Sequence, residues 1–264
     1  MISVIIVNYN TKELLKRCVE TVKNTCQNAE IIVVDNASTD GSSEVIKALG
    51  VKYVLLKENL GFSKANNIGI KEATGEAILF LNPDTVVLGN SLDRCFEFLQ
   101  KNQDTGAVGC KVVLAEGGMD KACKRKFPTP FNSFCTLSKI SKVFPRLGYN
   151  LTYFDDNGVY EVDCLVGAFM MCSRKAIEVT GGFDEDFFMY GEDIDLCLRI
   201  KKSGLKIWYL GDVEIIHVKG AVGKKSKKAK EAFYDSMSIY YKKHFKKGIF
   251  TALVDIGVKI LKKV

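Results

Sequence analysis

Acids that follow apolar runs are the first sign of chemistry in this 264-residue chain. Asn82-Pro83-Asp84 comes directly after the apolar run Ala77–Leu81. An acid placed there could hold a divalent cation against a diphosphate, although a turn after proline uses the same residues. Asp35 ends another apolar run and opens Asn-Ala-Ser-Thr-Asp-Gly-Ser. Its carboxylate could accept from a pyrimidine ring N–H or a ribose hydroxyl, while Ser38 or Asp40 suits a helix cap. Residues 181–195 interleave carboxylates with aromatics: Gly-Gly-Phe-Asp-Glu-Asp-Phe-Phe-Met-Tyr-Gly-Glu-Asp-Ile-Asp. A helix dipole accounts in part for Glu192 and Asp193 at a helix start. It does not account for the surrounding rings. A carboxylate among rings is partly desolvated and binds its proton more tightly, as suits a general base that deprotonates a sugar hydroxyl. Asp195 and Arg199, four apart, could simply pair along the helix.

Two other groups invite a functional reading. His217 is one of two histidines, and a neutral imidazole could complete a metal site. The other, His244, lies on the apolar stripe of a late helix and reads as packing. Lys124-Arg125-Lys126 could bind phosphate oxygens, since guanidinium does so bidentately, or could be an exposed basic loop.

The elements that must hold these residues alternate between two periods. Residues 3–7, 30–34, 51–56 and 77–81 are short apolar, β-branched runs. Residues 11–25, the segment carrying Val45, Ile46 and Leu49, and residues 62–73 have helical spacing. Continuous apolar strands between amphipathic helices predict an α/β fold with a mainly parallel sheet covered on both faces. Ligands then bind beyond the carboxyl ends of the strands, where Asn8, Asn10, Asp35, Asn82 and Asp84 all fall. Further on, residues 108–114, 160–166, 169–172, 206–210 and 214–217 look like strands and Glu192–Lys202 like a helix that stops at Gly204. Residues 116–153 contain Pro128, Pro130 and Pro145 and read as loop with short helices.

Composition narrows the class. Apolar residues at 47% and charged residues at 26% are ordinary for a globular protein. The nine cysteines are odd in number, form no C-x-x-C pair and sit mostly in apolar runs, so they read as reduced, buried thiols. No leader peptide or spanning run is read from the sequence, which predicts a cytoplasmic protein. The formal net charge is +7, and residues 219–247 carry ten lysines against Glu231 and Asp235. Such an excess favours an anionic partner.

Taken in order, VIIVNYN, IIVVDNASTDGS, NLGFSKANNIGI, LFLNPDT, VGAFMM, GGFDEDFFMYGEDIDLCLRI and IIHVKG resemble the inverting family 2 glycosyltransferases, and among them the bacterial rhamnosyltransferase-like branch. The resemblance covers about the first 220 residues. It implies the GT-A fold, a single Rossmann-like α/β domain with a mixed, mainly parallel central sheet. Residues 1–105 would form the nucleotide-binding half and 106–220 the acceptor half. It implies that Asp35 contacts the nucleotide base, that Asn8 and Asn10 surround the ribose, and that Asn66, Asn67 and Asn82 line the nucleotide site. Asp84 and His217 would hold Mg2+ or Mn2+, and Asp193 would be the catalytic base. Glu192 and Arg125 are candidates for contact with phosphate or acceptor. Asn82 stands where the metal motif has an acid and is a poorer ligand for a hard cation, so the diphosphate must supply much of the coordination. The implied reaction moves a sugar, rhamnose from dTDP-rhamnose in that branch, from a nucleoside diphosphate to a hydroxyl of a glycan or lipid-linked acceptor in cell-surface polysaccharide synthesis. A UDP-hexose is the alternative donor.

Residues 221–264 lie outside the resemblance. Residues 229–244 and 249–261 read as two apolar-faced, lysine-bearing helices, C-terminal to the domain, that either dock on the catalytic core or, as the lysine excess favours, lie on an anionic membrane surface at the cytoplasmic face. A nucleotidyltransferase is disfavoured because the first loop, Asn-Tyr-Asn-Thr-Lys, lacks the glycine-rich triphosphate cradle. Nucleic acid is disfavoured because no aromatic-interleaved basic sheet motif occurs.

Overall fold

The computed structural model describes residues 1–218 and 227–245. Its first half alternates strand and helix: β1 (Ile2–Asn8), α1 (Lys12–Thr25), β2 (Ala29–Asp35), α2 (Ser42–Ala48), β3 (Lys52–Leu55), α3 (Phe62–Glu72) and β4 (Ala77–Leu81). Every residue of β1 and β4 is buried, as in a sheet covered on both faces. Helix α1 buries Leu15, Cys18, Val19 and Val22, the i, i+3, i+4, i+7 stripe that seats a helix on a sheet.

After β4 come β5 (Thr85–Val87), α4 (Ser91–Lys101), β6 (Thr105–Leu114), α5 (Pro130–Leu137), α6 (Ile140–Val143), β7 (Val159–Glu161), β8 (Phe169–Ser173), α7 (Arg174–Thr180), α8 (Glu192–Lys202), β9 (Lys206–His217) and α9 (Lys227–His244). One nine-stranded sheet runs β3-β2-β1-β4-β8-β6-β9-β5, with β7 also paired to β9. The long ladders of β1 with β2 and β6 with β9 are parallel; β8 is antiparallel to both β4 and β6 and joins the two halves. The α/β fold with a mixed, mainly parallel sheet follows the sequence expectation.

Several elements do not follow it. The runs at 206–210 and 214–217 form one strand, because a register shift against Cys110 and Lys111 absorbs residues 211–213 without breaking the ladder. Of the stretch 160–166 only Tyr160 and Glu161 are strand, as the end of β7. Helices α4 and α7 and strand β5 went unread. The N-cap of helix α2 is Gly41, in left-handed backbone, and neither Ser38 nor Asp40. Asp40 instead accepts from the Ser42 and Lys12 amides at 3.0 and 2.9 Å.

Of the two readings for residues 229–244, core docking and a membrane surface, the structure takes the first. Tyr240 and Tyr241 of α9 are buried with Phe187, packed by Ile194 and Leu198 of α8, so the apolar stripe is spent on the core. Polar contacts fix the same docking. Asp195, fully buried, accepts from Arg199 Nε at 2.7 Å, from Lys243 Nζ at 2.8 Å and from His244 Nε2 at 2.6 Å. His244 is thus a hydrogen-bonding anchor and not mere packing. With its proton on Nε2, its Nδ1 can accept from Lys202 Nζ at 3.4 Å. Residues 249–261 lie outside the described residues.

Removing a buried carboxylate that holds three cationic or polar partners strands them. Asp195→Ala should therefore cost about 3–5 kcal/mol in denaturant unfolding, with faster amide exchange in α9. Unchanged stability together with unchanged exchange would show that packing alone holds the helix.

Candidate active site

The parallel half delivers its polar residues to one edge. Asn8 and Asp35 end neighbouring strands in register. Asn8 Nδ2 donates to Asp35 Oδ1 at 2.7 Å and to Ser38 Oγ at 3.0 Å, and Thr11 Oγ1 donates to Asn8 Oδ1 at 2.6 Å. Ser38 caps the cluster: its hydroxyl donates to Asp35 Oδ1 at 2.6 Å, its amide to Asp35 Oδ2 at 3.0 Å, and its oxygen accepts from the Asn10 amide at 2.9 Å. Asn8 and Asp35 are both buried. Asn10 and Ala37 hold positive φ of 54° and 63° in the loops over this cluster, a conformation that costs non-glycine residues free energy and tends to collect at functional loops. The sequence expectation named Asn8, Asn10 and Asp35 and missed the role of Ser38. Its only signal was the serine three residues after an acid at a strand end.

Asn36, also buried, reaches from the same turn: its Oδ1 accepts from the Leu60 amide at 2.8 Å and its Nδ2 donates to Gly61 O at 3.2 Å. That sets the start of α3. The two asparagines of α3 expected at the nucleotide are otherwise engaged. Asn66 is buried and donates to Phe62 O, one turn back, at 2.9 Å. Asn67 accepts from the Phe183 amide and donates to its carbonyl, both at 2.9 Å. Its amide is a bracket for the 182–188 loop.

Asp84 and His217 meet at adjacent strand ends. Thr85 pairs with His217 across β5 and β9, and the Val218 amide donates to Asp84 O at 2.8 Å. His217 Nε2 lies 3.0 Å from Asp84 Oδ1, while its Nδ1 is buried without a hydrogen-bond partner among the described residues. No three His, Cys, Asp or Glu side chains converge on a metal-sized site among the described residues. The pair offers one hard oxygen and one imidazole, which suits a cation whose other ligands are phosphate oxygens rather than an all-protein cage.

Asp193 opens α8 behind Tyr190 and Gly191, both in left-handed backbone, with φ of 72° and 78°. Its Oδ2 accepts from Arg125 Nη2 at 2.7 Å and from the Gly167 amide at 3.2 Å, and its Oδ1 from the Ile194 amide at 2.8 Å. The next residue, Ala168, accepts the Asn82 amide at 3.0 Å. Gly167-Ala168 therefore couples the Asn82–Asp84 turn to Asp193 within two residues. A side chain at Gly167 would stand 3.5 Å from Asp193 Cβ, an ordinary packing distance, so nothing steric demands glycine there.

Arg125 does not form an exposed basic loop or an open phosphate ligand. It is buried, and its Nη2 also donates to Leu165 O. Burial works against its charge, but the Asp193 carboxylate outweighs burial and holds the guanidinium above its ordinary value. Lys124 is buried as well, donating to Phe154 O, Asp155 O and Asp156 Oδ1 at 3.0, 2.8 and 2.7 Å.

Residues 3–180 match the family described as "Glycosyl transferase family 2". The chain belongs to that family. Residues 152–219 also match "N-terminal domain of galactosyltransferase". Among curated proteins, this transferase is 27% identical over 227 residues to "Rhamnosyltransferase WbbL" of Escherichia coli K12, covering 82% of this chain and 83% of the relative. It is 25% identical over 236 residues to the "N-acetylglucosaminyl-diphospho-decaprenol L-rhamnosyltransferase" of Mycobacterium tuberculosis, covering 83% and 76%. Among solved structures it resembles the mannosyltransferase PcManGT of Pyrobaculum calidifontis in complex with GDP-Man and Mn2+. The TM-score is 0.64 at 19% identity, over 98% of this chain and 69% of that one. It resembles GalNAc-T7 with UDP, GalNAc and Mn2+ at a TM-score of 0.64 and 16% identity, over 97% and 53%. At such identities the structures establish the GT-A fold.

Within this glycosyltransferase Glu192 has a distinct environment. It is buried beside Asp193, and its Oε2 has no hydrogen-bond partner among the described residues. Burial first, then the neighbouring Asp193 charge, push its carboxyl from an ordinary 4.5 up to about 8. The folded protein thus keeps a proton that the unfolded chain releases. Its stability contribution falls as pH rises from 4.5 toward 8. Glu192→Gln mimics the protonated form. Its melting temperature should gain most over the parent near pH 8, with a flatter pH slope through that window. Parallel slopes for the two proteins would place the ionisation elsewhere.

Proposed function

We propose that this glycosyltransferase uses a nucleoside-diphosphate sugar with a divalent cation and transfers the sugar with inversion to a hydroxyl of a glycan or lipid-linked acceptor. The observation that carries the reading is the gathering of three chemically different corners along one sheet edge. They are the buried Asn8–Asp35–Ser38 cluster, the Asp84–His217 pair and the Arg125-held Asp193. A nucleotide, a diphosphate and an acceptor hydroxyl need three such corners.

In this reading Asp35 and Asn8 shape the base and ribose end. The polar turn at Asn82 and Asp84 faces the diphosphate. Asp84 and His217 would hold Mg2+ or Mn2+, which when bound offsets the negative charge of the leaving diphosphate. Asp193 takes the acceptor proton as the acceptor oxygen attacks the anomeric carbon. Arg125 and the Gly167 amide hold Oδ2 of Asp193, so the carboxylate is presented in a fixed orientation and needs little reorganisation. Rhamnose from dTDP-rhamnose is the favoured donor, supported by the two rhamnosyltransferase relatives; a UDP-hexose is the second reading. The mycobacterial relative, named for an N-acetylglucosaminyl-diphospho-decaprenol, supports a lipid-linked acceptor, as the assembly of cell-surface polysaccharide would use.

Two measurements test this. A thermal-shift panel of nucleoside diphosphates, with and without Mn2+, should show a cation-dependent rise with thymidine or uridine diphosphate that Asp84→Ala abolishes. Absence of a shift with every nucleotide would end the donor reading. Asp193→Asn should keep the nucleotide shift and lose transfer by about 10²–10⁴-fold. Native turnover by that variant would remove Asp193 as the base.

A further inference from the structure

Helix α5, helix α6 and the turn that follows them form a surface that nothing above accounts for. Phe131, Phe134, Leu137, Ile140, Val143, Phe144 and Leu147 are all exposed, Val143 at 73% and Phe131 at 64%. Soluble faces rarely gather so much contiguous apolar area without a partner. The three short elements pack on one another. The chain turns back at Gly148, where a Cβ would stand 2.7 Å from Ser141 Cβ, and the Tyr149 amide donates to Thr136 Oγ1 at 3.4 Å. The inner face is anchored: Ser133 and Cys135 are buried, and Ser133 Oγ lies 2.8 Å from the Tyr241 hydroxyl of α9. The apolar residues are therefore presented outward by a closed wedge.

The charge of this region decides what the wedge fits. Residues 121–154 contain seven basic residues and no Asp or Glu, equal to the whole chain's formal excess of +7. Lys124 and Arg125 are used internally, but Lys121, Lys139, Lys142 and Arg146 are exposed, the last three within α6 and the turns that bound it. Arg146 and Lys126 both lie over the Tyr153 ring, each 5.6 Å from its centroid. Exposed phenylalanines with a rim of cations and no acids match an anionic interface with an apolar interior. A second copy of this surface would set lysine against lysine. Residues 246–264 carry five lysines against Asp255 and complement it no better.

We propose that the α5–α6 wedge is an interfacial membrane-docking surface that inserts Phe131, Phe134, Val143 and Phe144 among the acyl chains of an anionic phospholipid leaflet, with Lys139, Lys142 and Arg146 on the headgroups. No helix among the described residues is long and apolar enough to cross a membrane, so the contact lies on one leaflet. Arg125, which holds Asp193, belongs to the same acid-free segment. Docking the wedge would bring the acceptor side of the site to the lipid surface. The proposal stands on surface residues alone, so its failure leaves the transferase reading untouched.

Co-sedimentation of the full chain with vesicles of equimolar phosphatidylglycerol and phosphatidylcholine tests it. The parent should bind, less so at high salt and less so to phosphatidylcholine alone. The triple variant Phe131→Ser, Phe134→Ser, Phe144→Ser should bind about tenfold or more weakly, as should Lys139→Glu with Lys142→Glu. Melting temperature and the nucleotide thermal shift should stay at parent values in both. Absence of vesicle binding by the parent overturns the proposal. So does full binding by both variants, including the case where Lys259→Glu, Lys262→Glu, Lys263→Glu loses it instead. A parent dimer that the serine variant dissociates, without vesicle binding, would assign the surface to a second copy.

Discussion

Arg125 and Asp193 are 68 residues apart in sequence and meet 2.7 Å apart inside the fold. Burying two such charges is costly, and their attraction alone seldom repays it. Here the remaining bonds are supplied by the backbone: Leu165 O accepts from the guanidinium, and the amides of Gly167 and Ile194 donate to the carboxylate. The pair thereby welds the segment before α5, the turn before β8 and the start of α8 into one corner. Because Ala168 also holds the Asn82 amide, the geometry of the Asn82–Asp84 turn depends on the same corner.

The two halves are tied a second time along α3. The Phe62 amide donates to Phe188 O at 2.7 Å, and Asn67 brackets the backbone of Phe183. At Gly61 (φ 85°) a Cβ would fall 2.6 Å from Phe188 O, so the loop that leads into α8 can close on α3 only over a glycine. Through Asn36, this start of α3 is hydrogen-bonded to the turn that carries Asp35. The Asp35 turn, the start of α3 and the loop that leads into α8 are therefore positioned by one connected set of hydrogen bonds, which holds polar residues of distant segments in fixed relation.

Charge has a similar division of labour. Lysines of α9 that suggested a membrane contact are partly consumed by the core, where Lys243 pairs with Asp195 and Asp184. The acid-free segment between Asp120 and Asp155, less conspicuous because its cations are spread out, presents the exposed apolar wedge. Net charge identifies an anionic partner only after burial has removed the charges that the fold uses internally.

The sequence by itself determined the alternation of apolar strands and amphipathic helices, the bounds of β4 and α8, and the residues at the strand ends: Asn8, Asp35, Asn82, Asp84 and His217. Those signals are local, because period and turn chemistry reside in a few neighbouring residues. Its seven motifs in order also identified the family that the chain belongs to. Only the tertiary structure decided the partners of side chains with several chemically equal choices. Arg125 could have met phosphate and instead meets Asp193. Asn67 could have bonded any nearby backbone and brackets Phe183. His244 could have merely packed and instead binds Asp195, drawing α9 onto the core. The physical reason is that charge and hydrogen-bonding capacity are properties of a residue, whereas the group that satisfies them is set by which distant segments the sheet order brings within about 3 Å.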